Sequence, residues 1–181
     1  MKKLLIVTII ALLTVPARAQ FSKATLQATG LTCAMCSNAI NKALQKVSFV
    51  ESVRSDIKNS AFNLVFKQGE IIDIDALKLA VEDAGFSIGS LKLTGTFNDV
   101  KIEKDEHLKL GHVNLHFLDG ESRVLNGEQT ITVVDKNYVT SKQFKKLSAS
   151  SKMICVLDGK AASCCMKEGI AEGERVYHVT L

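Results

Sequence analysis

Residues 29–40, TGLTCAMCSNAI, place Cys33 and Cys36 two residues apart, between a glycine and an apolar repeat. Gly30 suits a tight turn, because glycine reaches backbone conformations that other residues avoid. Upstream, Ala24, Leu26 and Ala28 alternate with Lys23, Thr25 and Gln27, the period of a strand with one buried face. Downstream, apolar residues recur from Cys36 at Ala39/Ile40, Ala43/Leu44 and Val47, the spacing of one face of a helix. The two thiols therefore sit in a strand-to-helix loop, with Cys36 in the first helical turn and Cys33 just ahead of it.

The same reading continues outward. In ESVRSDIK, Val53 and Ile57 are in phase, and in SAFNLVFK, Phe62, Leu64 and Phe66 share a face, with KNS between them as a hairpin turn. A second helix is predicted from Asp73, a good N-cap, with Ile74, Leu77, Ala80/Val81 and Ala84 on one face and Gly85 as its stop. FSIGSLKL supplies a fourth strand. The order β-α-β-β-α-β over residues 20–93 is that of an α+β, ferredoxin-like sandwich.

That order, with GLTCAMC in its first loop, resembles the heavy-metal-associated domain of copper chaperones, copper-pumping ATPases and the periplasmic mercury-binding protein. The family motif is G-M-T-C-x-x-C, and Leu31 stands here where Met is usual, an apolar exchange of similar volume. Phe86 in EDAGFSI matches the loop position that packs near the metal in this family. The resemblance covers residues 22–93 and implies that Cys33 and Cys36 are the metal ligands.

The chemistry agrees with that implication. A helix N-terminus favours negative charge, so thiols placed there are suited to act as thiolate ligands. Two thiolates are soft donors that select Cu(I), with Hg(II) and Zn(II) as further thiophilic candidates, over Mg²⁺ or Ca²⁺. A two-ligand site on a loop leaves room for a partner's thiols, whereas a structural zinc site presents four ligands. The rival reading is a thioredoxin-like thiol-disulfide oxidoreductase, since a C-x-x-C at a helix start also describes those enzymes. They set a cis-proline beside the motif, and the one proline here is Pro16.

Pro16 belongs to an opening segment that reads as a signal peptide. Lys2 and Lys3 precede an apolar run from Leu4 to Val15 and a small-x-small site at Ala17-Arg18-Ala19, which puts the mature start at Gln20. The run is shorter than the about 20 residues that span a bilayer. The mature chain is expected to be exported, periplasmic or extracellular, and not embedded in a membrane. Cleavage removes Lys2, Lys3 and Arg18 and no acidic residue, so the formal charge of +4 falls by three to +1. That balance argues against a nucleic-acid partner. Lys142, Lys145 and Lys146 are expected on the outer, solvated face of a short helix.

A composition break near Thr94-Gly95 divides residues 20–93 from residues 94–181, with no low-complexity linker and no internal repeat. The second part is strand-rich: HLKLGHVNLHFL, QTITVVDKNYV, KMICVLDG and RVYHVTL read as strands, with a short helix in SKQFKKLSA. A small Greek-key barrel of the OB type is one architecture that this order fits. His112, Asn114 and His116 are expected on a solvated strand face, since residues four apart on a strand lie about 13 Å from each other. His107 and His178 have no partner identifiable in the sequence. Asp158-Gly159 reads as a hairpin turn that would set Cys155 opposite Cys164. A Cys155–Cys164 disulfide is therefore expected, with Cys165 as the partner if the loop differs by one residue, and a second soft-metal site built from Cys155, Cys164, Cys165 and Met166 is the alternative.

Together these readings point to an exported metal-binding protein, not an enzyme, that holds or hands over Cu(I). Its partner would be a metal-transporting ATPase or another metal-trafficking protein. Two alternatives remain: the oxidoreductase, and an adaptor whose carboxy-terminal part docks a partner while the first part senses metal.

Overall fold

The computed structural model describes residues 21–31, 34–118 and 122–181. The predicted signal segment and Cys33 lie outside the described residues.

β1 (Phe21–Thr29) is followed by α1 (Ala34–Gln45), β2 (Val50–Asp56), β3 (Ala61–Phe66), α2 (Ile74–Asp83) and β4 (Ser87–Ile102). This is the predicted β-α-β-β-α-β order, in the sheet sequence β2-β3-β1-β4. The alternation in β1 buries Ala24, Leu26 and Ala28, and β3 buries Phe62, Leu64 and Phe66. Against them α1 packs Ile40 and Leu44, and α2 packs Ile74, Leu77 and Val81. Ile57, expected in phase with Val53, lies beyond the end of β2 and is exposed. Both ends of α2 are closed as predicted. Asp73 accepts from the Asp75 and Ala76 N–H groups at 3.0 and 3.3 Å. At the other end, Gly85 and Phe86 donate to the carbonyls of Glu82 and Val81, a Schellman closure.

The break at Thr94-Gly95 falls inside β4, which runs for 16 residues and pairs with β1 on one side and β7 (Arg123–Val133) on the other. β8 (Val176–Thr180), β6 (Val113–Phe117) and β5 (His107–Leu110) complete an eight-stranded sheet among the described residues, ordered β2-β3-β1-β4-β7-β8-β6-β5. This sheet has two edges, β2 and β5, so the OB-type barrel is not formed. β6 and β8 run parallel within it. One apolar core runs along the sheet from Leu26 and Leu44 to Leu115, Phe117 and Tyr138. A smaller cluster around Leu118, Val134, Val156 and Ile170 encloses Cys155 and Cys165.

Two segments of the second half differ from expectation. HLKLGHVNLHFL is a hairpin, β5 and β6, turning at Gly111-His112, rather than one strand. KMICVLDG contains a short helix, α4 (Cys155–Asp158), which follows α3 (Ser141–Ser148). Asp158-Gly159 is the end of α4: Gly159, with a φ of +71°, donates its N–H to the Cys155 carbonyl at 2.9 Å. The backbone beyond it pairs with residues 173–176, not with residues 153–157. The hairpin that would have set Cys155 opposite Cys164 is therefore absent. Lys142, Lys145 and Lys146 are exposed on α3, as expected.

Candidate metal centre

The loop after β1 opens at Gly30, whose φ of +82° favours glycine. Leu31 packs against the main core, the role expected of the apolar residue at this place in the motif. A Cβ added at Gly30 would stand 3.9 Å from the Phe86 ring, so Phe86 lies beside the loop, where the sequence put it. The Schellman closure of α2 is what holds it there. Cys36 is the third residue of α1, partly exposed, next to the fully presented side chain of Met35. The first turn of a helix carries N–H groups without intrahelical partners, so Cys36 presents its sulfur close to solvent at the amino-terminal end of α1.

A second group of donor atoms lies in the carboxy-terminal half. His107 on β5 and His116 on β6 are cross-strand neighbours, with rings stacked at 4.2 Å between centroids. His178 on β8 is the next residue in the same row, edge-on to His116 at 5.0 Å. All three are buried, at 5%, 0% and 0% exposure. The solvated face expected for His112, Asn114 and His116 is thus corrected: His112 sits in the exposed turn, while Asn114 and His116 are inside. The sulfurs complete the group. Cys155 Sγ lies 3.7 Å from His107 Nε2 and 3.6 Å from His116 Nδ1, and Cys165 Sγ lies 3.2 Å from His107 Nε2. Cys164 Sγ is 3.8 Å from Cys155 Sγ and 3.5 Å from Cys165 Sγ. These are not disulfide distances, so the expected Cys155–Cys164 bridge is not present.

Electrostatics follow from burial. Desolvation pushes the His107 pKa down, and burial together with His107 and His178 pushes that of His116 down to about 3, so both rings are neutral. Burial, with Cys165 and Cys164 beside it, raises the Cys155 thiol. Burial also raises Cys165. Against burial, hydrogen bonds from Cys155 and Cys165 lower Cys164, the most exposed of the three.

A polar chain joins this group to the amino-terminal half. Asp135 accepts from His178 Nδ1 at 2.5 Å and from Arg175 Nη2 at 2.6 Å. Arg175 Nε in turn donates to Asp75, in the first turn of α2, at 2.8 Å, and Tyr138 Oη donates to the same carboxylate at 2.7 Å.

The histidines escaped the sequence reading because cross-strand register is not a property of any single segment. One signal was there. A two-residue turn at Gly111-His112 makes Leu110 face Val113, and the same register carries His107 to His116.

The sequence matches the heavy-metal-associated domain family over residues 25–87. A probable copper-transporting ATPase of Arabidopsis thaliana, HMA5, is 28% identical over 65 residues, which is 36% of this chain and 6% of that protein. The amino-terminal domain of a potential copper-translocating P-type ATPase from Bacillus subtilis, solved in its Cu(I)-loaded state, is 30% identical. That alignment covers 41% of this chain and 88% of that one, with a TM-score of 0.34. Oxidized MerP from Ralstonia metallidurans CH34 is 28% identical, over 39% of this chain and 96% of that one, also with a TM-score of 0.34. With the β-α-β-β-α-β order, Gly30 in its turn and Cys36 in the first turn of α1, residues 25–87 are a heavy-metal-associated domain.

Proposed function

We propose that this protein is an exported carrier that holds a thiophilic ion, Cu(I) first, at Cys33 and Cys36 and passes it on by thiol exchange. The observation that carries the reading is the position of Cys36, near solvent in the first turn of α1, within a heavy-metal-associated domain. A site open on one side accepts an incoming thiolate before the outgoing one leaves, so the ion never needs to be released to water. The relative named for copper transport supports Cu(I) as the cargo. The partner is then a metal-transporting ATPase or another trafficking protein with a matching thiol pair. The role is binding and transfer, without catalysis of a chemical step.

The test is competition with a chromophoric Cu(I) chelator. Wild-type protein should take one Cu(I) from it, and the Cys33→Ser/Cys36→Ser variant should remain folded and leave that equivalent with the chelator. Unchanged uptake by the variant would sink the reading. Export has its own check, because intact mass after secretion should correspond to a chain starting at Gln20.

A further inference from the structure

We propose that His107, His116, Cys155 and Cys165 form a second metal site, closed and four-coordinate, that takes a borderline divalent ion of the Zn(II) type, with Cys164 at its solvent edge. It is independent of the site at Cys33 and Cys36.

The donor atoms of His107, His116 and Cys155 all lie within 4.8 Å of one another, and Cys165 reaches the group at His107. Zinc bonds of about 2.3 Å to sulfur and about 2.0–2.1 Å to nitrogen give tetrahedral edges of about 3.6 Å between sulfur and nitrogen and about 3.8 Å between two sulfurs. Cys155 Sγ is 3.7 Å from His107 Nε2 and 3.6 Å from His116 Nδ1, and Cys165 Sγ is 3.2 Å from His107 Nε2. Of these three edges only the last must lengthen, by a few tenths of an ångström, and Cys165 must close toward His116 for the ion to be held by all four.

The groups behind these ligands are also in place. Asp105 Oδ1 lies 3.2 Å from His116 Nε2; a carboxylate only accepts, so Nε2 carries the proton and Nδ1 turns its lone pair toward Cys155. A carboxylate behind a histidine is the usual outer support of a metal-bound imidazole. Asp135 orients His178 in the same manner, and His178 Nε2 is left buried with no hydrogen-bond partner among the described residues. His178 thus continues the imidazole row, edge-on to His116 at 5.0 Å, without being one of the four ligands.

Charge selects the class of ion. Two thiolates and two neutral imidazoles carry −2, so a divalent cation makes the buried site neutral, whereas Cu(I) would leave a buried net charge of −1. Mixed nitrogen and sulfur donors in a closed tetrahedral set are those of structural zinc. A disulfide accounts for less, because pairing any two of the cysteines leaves the third thiol and the histidine row without a role. Access runs past Cys164, which lines a surface depression with Lys104, Asp105, Lys152, Met153 and Ile154.

The test uses the full-length chain carrying Cys33→Ser and Cys36→Ser, reduced and stripped of metal. Titrated with Zn(II) against a chromophoric chelator, it should bind one equivalent. With Co(II) it should give the intense visible absorption of a tetrahedral centre and a thiolate charge-transfer band. Adding Cys155→Ser and Cys165→Ser should abolish both signals. Because replacing buried thiols can disturb folding, Asp105→Asn is the second variant: it keeps every ligand and should weaken Zn(II) binding about 10- to 100-fold. A folded, reduced Cys33→Ser/Cys36→Ser protein that takes up no Zn(II) and gives no tetrahedral Co(II) spectrum overturns the proposal. So does unchanged Zn(II) affinity in the quadruple variant.

Discussion

Cys36 stands near solvent on the first turn of α1, three positions after its motif partner Cys33, whereas Cys165 is buried against His107, a residue 58 positions away. The difference decides how metal and folding are linked. Ligands three positions apart meet even in an unfolded chain, so an ion at the loop would add little to stability and exchange readily. Ligands from β5, β6, α4 and the turn at Cys165 meet only after the sheet is assembled, so an ion there stabilises the fold itself. On the proposals made above, the loop would pass metal on and the buried group would keep it.

That contrast can be attacked at its foundation, the continuity of the core beneath both regions. Phe97 is fully buried on β4, the strand the two halves share, and meets Phe21 edge-on at 6.4 Å. Phe97→Ala should cost about 3–5 kcal/mol and lower a single unfolding transition, seen alike by far-ultraviolet circular dichroism, which reports on both halves, and by exposure of the buried Cys155 and Cys165 thiols. Two separate transitions, with only one of them shifted, would show that the halves fold independently. Linkage comes next. Free Zn(II) held at 100 times its dissociation constant should add about 2.7 kcal/mol in urea unfolding of the Cys33→Ser/Cys36→Ser protein. Cu(I) bound to the wild-type loop should add far less, because the unfolded chain retains much of that site.

The smallest effect concerns the polar chain between the halves. Burial opposes the Asp75 carboxylate, but Arg175 and Tyr138 outweigh it and hold its pKa below the ordinary value. A depressed folded pKa stabilises the protein at pH values above the unfolded carboxylate range. That contribution fades as pH falls through the folded value. Asp75→Asn should therefore cost about 1–2 kcal/mol at neutral pH, discounted for partial exposure, and the difference from wild type should disappear in acid. A difference that persists at low pH would assign the loss to packing instead of charge.

The amino-terminal half was legible because its signals are local. Alternation in Ala24, Leu26 and Ala28, the Asp73 cap and the Gly85 stop each report on a few adjacent residues, and the structure places all of them as read. The loop was legible for the same reason, since its glycine, its thiol and Phe86 follow from those boundaries. The carboxy-terminal half failed where one signature serves two structures. Met153–Leu157 is apolar without a period, and a short run of that kind fits a strand or a helical turn. Asp158-Gly159 then fits either a hairpin turn or the left-handed close of a helix, and it is the second. Read as a hairpin, the segment sets Cys155 against a strand, whereas the helix turns it toward the histidine row. The row itself needed the pairing of β5, β6 and β8, which depends on a parallel contact between segments 62 residues apart at Asn114 and Val176.

Lability of the two ions tests the contrast most directly. Protein loaded with one Cu(I) and one Zn(II) is challenged with excess small-molecule dithiol, and the metal remaining on the chain is followed over time. Cu(I) should leave promptly while Zn(II) stays with the folded protein, and Zn(II) should follow only when urea unfolds it. Loss of Zn(II) as fast as Cu(I) from folded protein, or retention of Cu(I) while Zn(II) departs, would contradict the account.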